Sequence, residues 1–142
     1  MSDDVGKSVR DRLLSTKPVT DYCGARIYPD VLEQGAIDKG PCVAVFVSAT
    51  LAHEDIDNDN RCFQSTVDVI AWGRNRDEVN ALAKAIRDSA LPADLRGSVE
   101  GMDWMECSLI AGPIELVDPP TDGSDRWRKI TKQTFSIWAH AV

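Results

Sequence analysis

The stretch Phe63-Gln64-Ser65-Thr66-Val67-Asp68-Val69-Ile70-Ala71-Trp72, followed by Asn75-Arg76-Asp77-Glu78-Val79-Asn80-Ala81-Leu82-Ala83-Lys84-Ala85-Ile86, decides the fold reading. In its first half Phe63, Ser65, Val67, Val69 and Ala71 alternate with Gln64, Thr66, Asp68, Ile70 and Trp72, the pattern of a half-buried strand. In its second half Val79, Leu82, Ala83, Ile86 and Ala90 form an apolar stripe at helical spacing, with Glu78, Asn80, Lys84, Arg87 and Asp88 outside it. Asn75 and Glu78 are spaced as in a capping box, and Pro92 ends the helix. The narrow, alanine-bearing stripe predicts a helix packed close on a sheet.

Upstream, Cys42-Val43-Ala44-Val45-Phe46-Val47-Ser48-Ala49-Thr50 is apolar at nearly every position, which suits a strand covered on both faces or lying at an interface. The polar loop from His53 to Arg61 is short enough to make this strand and the next an antiparallel hairpin. Val5, Val9 and Leu13 predict a first helix from about Asp4 to Ser15, stopped by Pro18. From Val19 to Gly40 the chain reads as a surface connection with one short extended piece at Arg26-Ile27-Tyr28. Downstream, Trp104 to Val117 reads as a strand interrupted at Gly112-Pro113, and Arg126 to Ala139 as another, with turn residues from Asp118 to Asp125 between them. This order predicts an α+β fold, one domain over residues 1–142: a single antiparallel sheet of about four strands with two helices packed on one face.

The length, 142 residues, suits one domain, and 43% hydrophobic residues is enough for a packed core. No stretch approaches the ~20 apolar residues that span a bilayer, so no membrane partner is expected. The start Met1-Ser2-Asp3-Asp4 lacks the basic and then apolar layout of a signal peptide, so the chain is expected to be made in the cytoplasm and not exported. The net charge of −7 opposes a grip on nucleic acid.

No catalytic, metal-binding or cofactor-binding residue emerges. Cys23, Cys42, Cys62 and Cys107 are too far apart for a zinc knuckle, and read as small hydrophobic thiols. Asp55, Asp57 and Asp59 imitate the first ligands of a calcium loop, but Thr66 stands where a closing Glu is needed, so the segment reads as a solvated hairpin tip. His53 and His140 lack a nucleophile-elbow context, and Gly97 and Gly101 precede no phosphate-binding helix. Glu100, Asp103 and Glu106 read as solvated carboxylates.

Four tryptophans, Trp72, Trp104, Trp127 and Trp138, lie on or beside expected strands. Core packing accounts for such residues in general; Trp72 and Trp138 fall opposite the main apolar rows and are candidates for subunit contacts. Val45 and Val47 face opposite to Ala44, Phe46 and Ser48, so both faces of that strand carry apolar residues. A sheet with one helical cover does not need that, and a neighbouring copy would seal the second face.

The succession Arg26-Ile27-Tyr28-Pro29, Gly35, Pro41, Val67-Asp68-Val69-Ile70-Ala71-Trp72, Asp77-Glu78-Val79, Ala81-Leu82-Ala83-Lys84-Ala85-Ile86-Arg87 and Thr134-Phe135-Ser136-Ile137-Trp138 resembles the tail-completion (tail-terminator) proteins of long-tailed bacteriophages and related particles. The resemblance runs from about residue 8 to 139 and is least clear from Asp94 to Pro113. It implies a structural virion protein rather than an enzyme: a homo-oligomeric, typically hexameric ring at the head–tail junction. Such a ring caps the tail tube protein, ends tail polymerisation and meets the head–tail connector or stopper, while DNA passes through unbound. Another neck or connector adaptor is the nearest alternative; a small acidic enzyme and a monomeric binding module are more distant ones. On this reading Glu54, Asp55, Asp57 and Asp59, or Asp118, Asp122 and Asp125, face the bore or an adjoining ring. The basic cluster Arg126, Arg128, Lys129 and Lys132 pairs with an acidic neighbour.

Overall fold

The computed structural model describes residues 5–29, 40–54, 61–93, 95–118 and 128–141. Alternation in the central segment becomes strand β3 (Arg61–Gly73), paired antiparallel with β2 (Cys42–Glu54) on one side and β6 (Arg128–Ala141) on the other. The full order is β1-β2-β3-β6-β5-β4, with β1 (Ile27–Pro29) parallel to β2, and β4 (Gly97–Val99) and β5 (Met102–Asp118) antiparallel to their neighbours. The four-strand antiparallel sheet with two helices is therefore overturned: the sheet has six strands, is mixed, and curls into a half-barrel around three short helices.

The added elements have local causes. Pro18 does not merely stop α1 (Val5–Leu14); it lies in the first turn of α2 (Lys17–Cys23), where its missing N–H costs nothing. β1 and β4 are three residues each, too short to leave a period, and exist by pairing with longer strands. α3 (Arg76–Ala85) starts where the spacing says, with Asn75 Oδ1 accepting from the amides of Asp77 at 2.9 Å and Glu78 at 3.2 Å. It continues as a π-helical turn (Ile86–Ala90). The Arg12 guanidinium donates to the carbonyls of Ala90 and Ser89 there, satisfying acceptors at the helix end.

The helices fill the inside of the curl. α1 packs on β1 and β2 at one end of the sheet. At the other end, the Ser8 hydroxyl of α1 donates to the Val99 carbonyl at 2.8 Å and accepts from Trp104 Nε1 at 3.2 Å. Val43, Val45, Val67, Val69, Ala71, Phe135 and Ile137 line this face beneath Val9, Leu13, Leu82 and Ile86, all buried. Gly73 permits the close approach of α3, because a Cβ there would stand 2.7 Å from Val79 Cγ2.

Candidate functional site

Among the described residues no helix lies on the opposite face of the sheet, and the pairing register defines what it presents. One cross-strand row is Cys42, Trp72, Ile130 and Leu116; the next is Ala44, Ile70, Lys132 and Ile114; the third is Phe46, Asp68, Thr134 and Ala111. Beyond them the rows turn polar, with Thr66, Ser136 and Ser108, then Gln64, Trp138 and Glu106. The open face is thus apolar at one end and hydrophilic at the other. Within these rows Cys42, Ala44 and Ile130 are buried and Ile70, Trp72 and Lys132 half-buried, whereas Phe46, Ile114 and Leu116 are exposed, the last two at 45% each.

At the boundary between the two zones, Thr134 Oγ1 donates to Asp68 Oδ1 at 2.7 Å, and Lys132 Nζ stands 3.8 Å from Asp68 Oδ2. This partly exposed pair adds on the order of 0–1 kcal/mol, and its main effect is to fix the Lys132 side chain over the sheet. Trp72 Nε1 is buried without a hydrogen-bond partner among the described residues. A polar seam on the covered face holds α3 to the sheet: Gln133 Nε2 donates to the Ala83 carbonyl, Thr131 Oγ1 to Asn80 Oδ1, and Asn80 Nδ2 to Glu115 Oε1.

The residues singled out from sequence fall in different places. Val45 and Val47 lie on the helix-covered side, with Val45 buried in the core; Phe46, not Val45, faces outward. Alternation was readable there, but which side the helices take depends on the whole sheet. Trp72 and Trp138 are half-buried on the open face, at its apolar and polar ends. Trp104 is in the core. Arg128, Lys129 and Lys132 are half-buried on β6; of these, Lys132 meets Asp68 of its own chain. Arg126 and Trp127 lie outside the described residues, as do Asp55, Asp57, Asp59, Asp122 and Asp125. Glu54 ends β2 opposite Arg61, and Asp118 ends β5 opposite Arg128.

Two features escaped the sequence reading. The first is the edge strand β5, where Met105, Ile110, Ile114, Leu116 and Val117 are all exposed. A groove of about 430 Å³, lined by Arg87, Asp88, Leu91, Pro92, Ala93 and Leu109, runs beside it. The second is a register row that sets His53, Cys62, His140 and Asp103 side by side on successive strands. Sequence distance concealed that row; only strand pairing reveals it.

The described thiols are poor nucleophiles. Burial pushes Cys23 up to about 11 against the opposing Arg26 charge. Burial likewise raises Cys42 to about 11, with Arg26 opposing. Cys107 goes up to about 12, by burial and then the Glu106 carboxylate. Each stays protonated near neutrality. Among the described residues no three His, Cys, Asp or Glu side chains converge as metal ligands, and no helix is long and apolar enough to cross a membrane.

The architecture is that of a small mixed-sheet module with a helix-filled inner face and, among the described residues, an outer face without a helix. No family model and no curated protein sequence matches the chain. Its fold is similar to that of a chain in a solved structure described as the virion of a native gene transfer agent (GTA) particle. The TM-score is 0.65 over 96% of this chain and 95% of that one, at 13% sequence identity.

Proposed function

We propose that this chain is a structural, non-enzymatic protein of a phage-like particle. On this reading it caps the head-proximal end of the tail tube as a ring of identical copies, typically six, at the head–tail junction. The observation that carries the reading is the fold likeness to a chain of a virion particle over nearly the full length of both. The exposed apolar residues of the helix-free face, Phe46, Ile114 and Leu116, support it, since a ring subunit must bury surface against its neighbours. The sequence resemblance to tail terminators supplies the finer role.

The physics of that role is simple. A ring ends polymerisation when one rim matches the tube and the other does not, and the second rim then receives the connector or stopper. Copies carrying −7 each give a bore through which DNA slides without adhering. The acidic residues Glu54, Asp55, Asp57 and Asp59, or Asp118, Asp122 and Asp125, are the candidates to face it. Arg126, Arg128, Lys129 and Lys132 are candidates for setting register against a neighbour, in pairs contributing about 0–1 kcal/mol each. The test is electron microscopy of particles assembled with and without this chain. Its loss is expected to give tails of irregular length, or tails detached from heads; tails of normal length joined to heads overturn the reading.

A further inference from the structure

Among the described residues the sheet leaves two edges open, at its opposite ends. β4 pairs with β5 only from Met102 to Trp104, so the outer side of β5 from Met105 to Asp118 has no strand beside it. β1 pairs with β2 only at Val43–Val45, so β2 from Phe46 to Glu54 is open on the other side. The β5 edge spans up to about 46 Å at ~3.3 Å per residue. Along it Met105, Ile110, Ile114, Leu116 and Val117 are exposed, Ile110 most of all at 56%. One of its carbonyls, that of Leu116, accepts from the Arg76 guanidinium. Solvated edges are normally blunted by lysines, prolines, bulges or shortness. From Met105 to Asp118 there is no Lys or Arg and a single proline, Pro113; the pairing register shifts between Leu109 and Ala111 and between Ala111 and Ile114, so the regular open runs are Glu106–Leu109 and Ile114–Asp118.

We infer that β5 of one copy pairs antiparallel with the open stretch of β2 of the next copy, head to tail. Strand polarity fits. β2 runs antiparallel to β3, β3 to β6 and β6 to β5, so β5 and the β2 of a copy placed in the same sense run in opposite directions. Charge disfavours the symmetrical alternative. The open stretch of β5 carries Glu106, Glu115 and Asp118 and no base, so registers that pair β5 with β5 with Glu106 opposite Glu115 or Asp118 set carboxylates from two copies together. The open stretch of β2 carries one carboxylate, Glu54, with His53. β1 and β4 occupy opposite ends of their edges, so the two strands meet with a stagger along their length. A repeated stagger turns each copy relative to the last, as shear does in a closed barrel. Closure into a ring of fixed number rests on the function proposed above; the pairing itself does not.

Sedimentation velocity over a concentration series tests the seam with four samples. The unaltered chain is expected to associate beyond its 15.6 kDa monomer. Ile110→Lys/Val117→Lys on the β5 edge, and Phe46→Lys/Ala49→Lys on the β2 edge, are each expected to weaken association at least about tenfold with unchanged melting temperature. An equimolar mixture of the two variants restores one intact seam, so it should form pairs and nothing larger. A β2-edge variant that pairs alone, variants that associate like the parent, a mixture that stays monomeric, or a parent that stays monomeric throughout would each overturn the head-to-tail seam. Should either variant fail to fold, amide exchange on the parent decides: protection of Met105–Asp118 and Phe46–Glu54 must rise together with concentration. Tail length in assembled particles judges the proposed function separately, so either can fail while the other stands.

Discussion

The two faces of the same sheet carry similar side chains and meet different fates. On the inner face Phe135 and Val45, with 0% and 1% of their surface exposed, lie beneath α3 and α1. On the outer face Phe46 and Leu116 keep 42% and 45% of their surface in water. Apolar character therefore does not distinguish core from exposed surface in this chain; the presence of a covering element does. The inner face is where folding free energy is gained, at roughly 25 cal/mol per Å² of apolar area removed from water. The outer face leaves the same kind of area in water at Phe46, Ile114 and Leu116.

The comparison breaks most visibly if the inner face is cut. Phe135→Ala removes a fully buried ring from the middle of β6 and should cost about 3–5 kcal/mol in denaturant unfolding. A loss below ~1 kcal/mol would mean that the helices do not seal this face. A smaller loss, about 1–3 kcal/mol, is expected for Gly112→Ala. Gly112 has φ +93°, and a Cβ there would stand 2.5 Å from the Lys132 carbonyl oxygen, forcing β5 away from β6. Because this change disturbs the register of the exposed strand, the β5 seam inferred above predicts that it also weakens self-association, which sedimentation would read. Asn75→Ala frees the amides of Asp77 and Glu78 at the start of α3 and should cost about 1 kcal/mol, measured the same way.

The β3–α3 passage was legible because both elements are long enough to show a period and because Asn75 marks the boundary between them. The ends of the sheet were not. Three residues at Ile27–Pro29 and three at Gly97–Val99 carry no periodicity, and they become strands only because β2 and β5 offer them partners. Pro18 is equally compatible with stopping one helix and starting another; the packing of Val19 and Cys23 into the core selects the second. The site was legible only in outline. That the β2 strand is apolar on both sides was plain, yet whether Val45 or Phe46 faces outward depends on where the helices lie. The open edge of β5 was invisible, since side-chain patterning says nothing about which strand has a neighbour.

Alkali probes burial on both faces, since Cys107 lies on the inner face and Cys42 on the outer one. In the unfolded chain they ionise near 9.0, whereas in the fold burial raises Cys23 and Cys42 to about 11 and Cys107 to about 12. The native state thus holds protons that the unfolded state has released. Stability from this source is complete below pH ~9 and is lost as pH climbs through the native values. Unfolding midpoints should fall above pH ~9, and alkylation of these three cysteines at pH 8 should require unfolding. Rapid labelling of Cys107 in the native state would show that the inner face admits solvent.

The smallest effect is the most telling. Phe46→Ser on the outer face deletes a ring of the same kind as Phe135, yet monomer stability should change by no more than about 0.5 kcal/mol. The ring is substantially exposed in the native monomer, so the unfolded chain has less to gain by its removal. Its partners across the sheet, Asp68 and Thr134, already hydrogen-bond to each other and do not lose a contact on which the fold depends. Measured below the concentration at which copies associate, the variant should unfold with the parent. A loss near that of Phe135→Ala would mean that the outer face is sealed within a single chain, and the difference between the two faces would disappear.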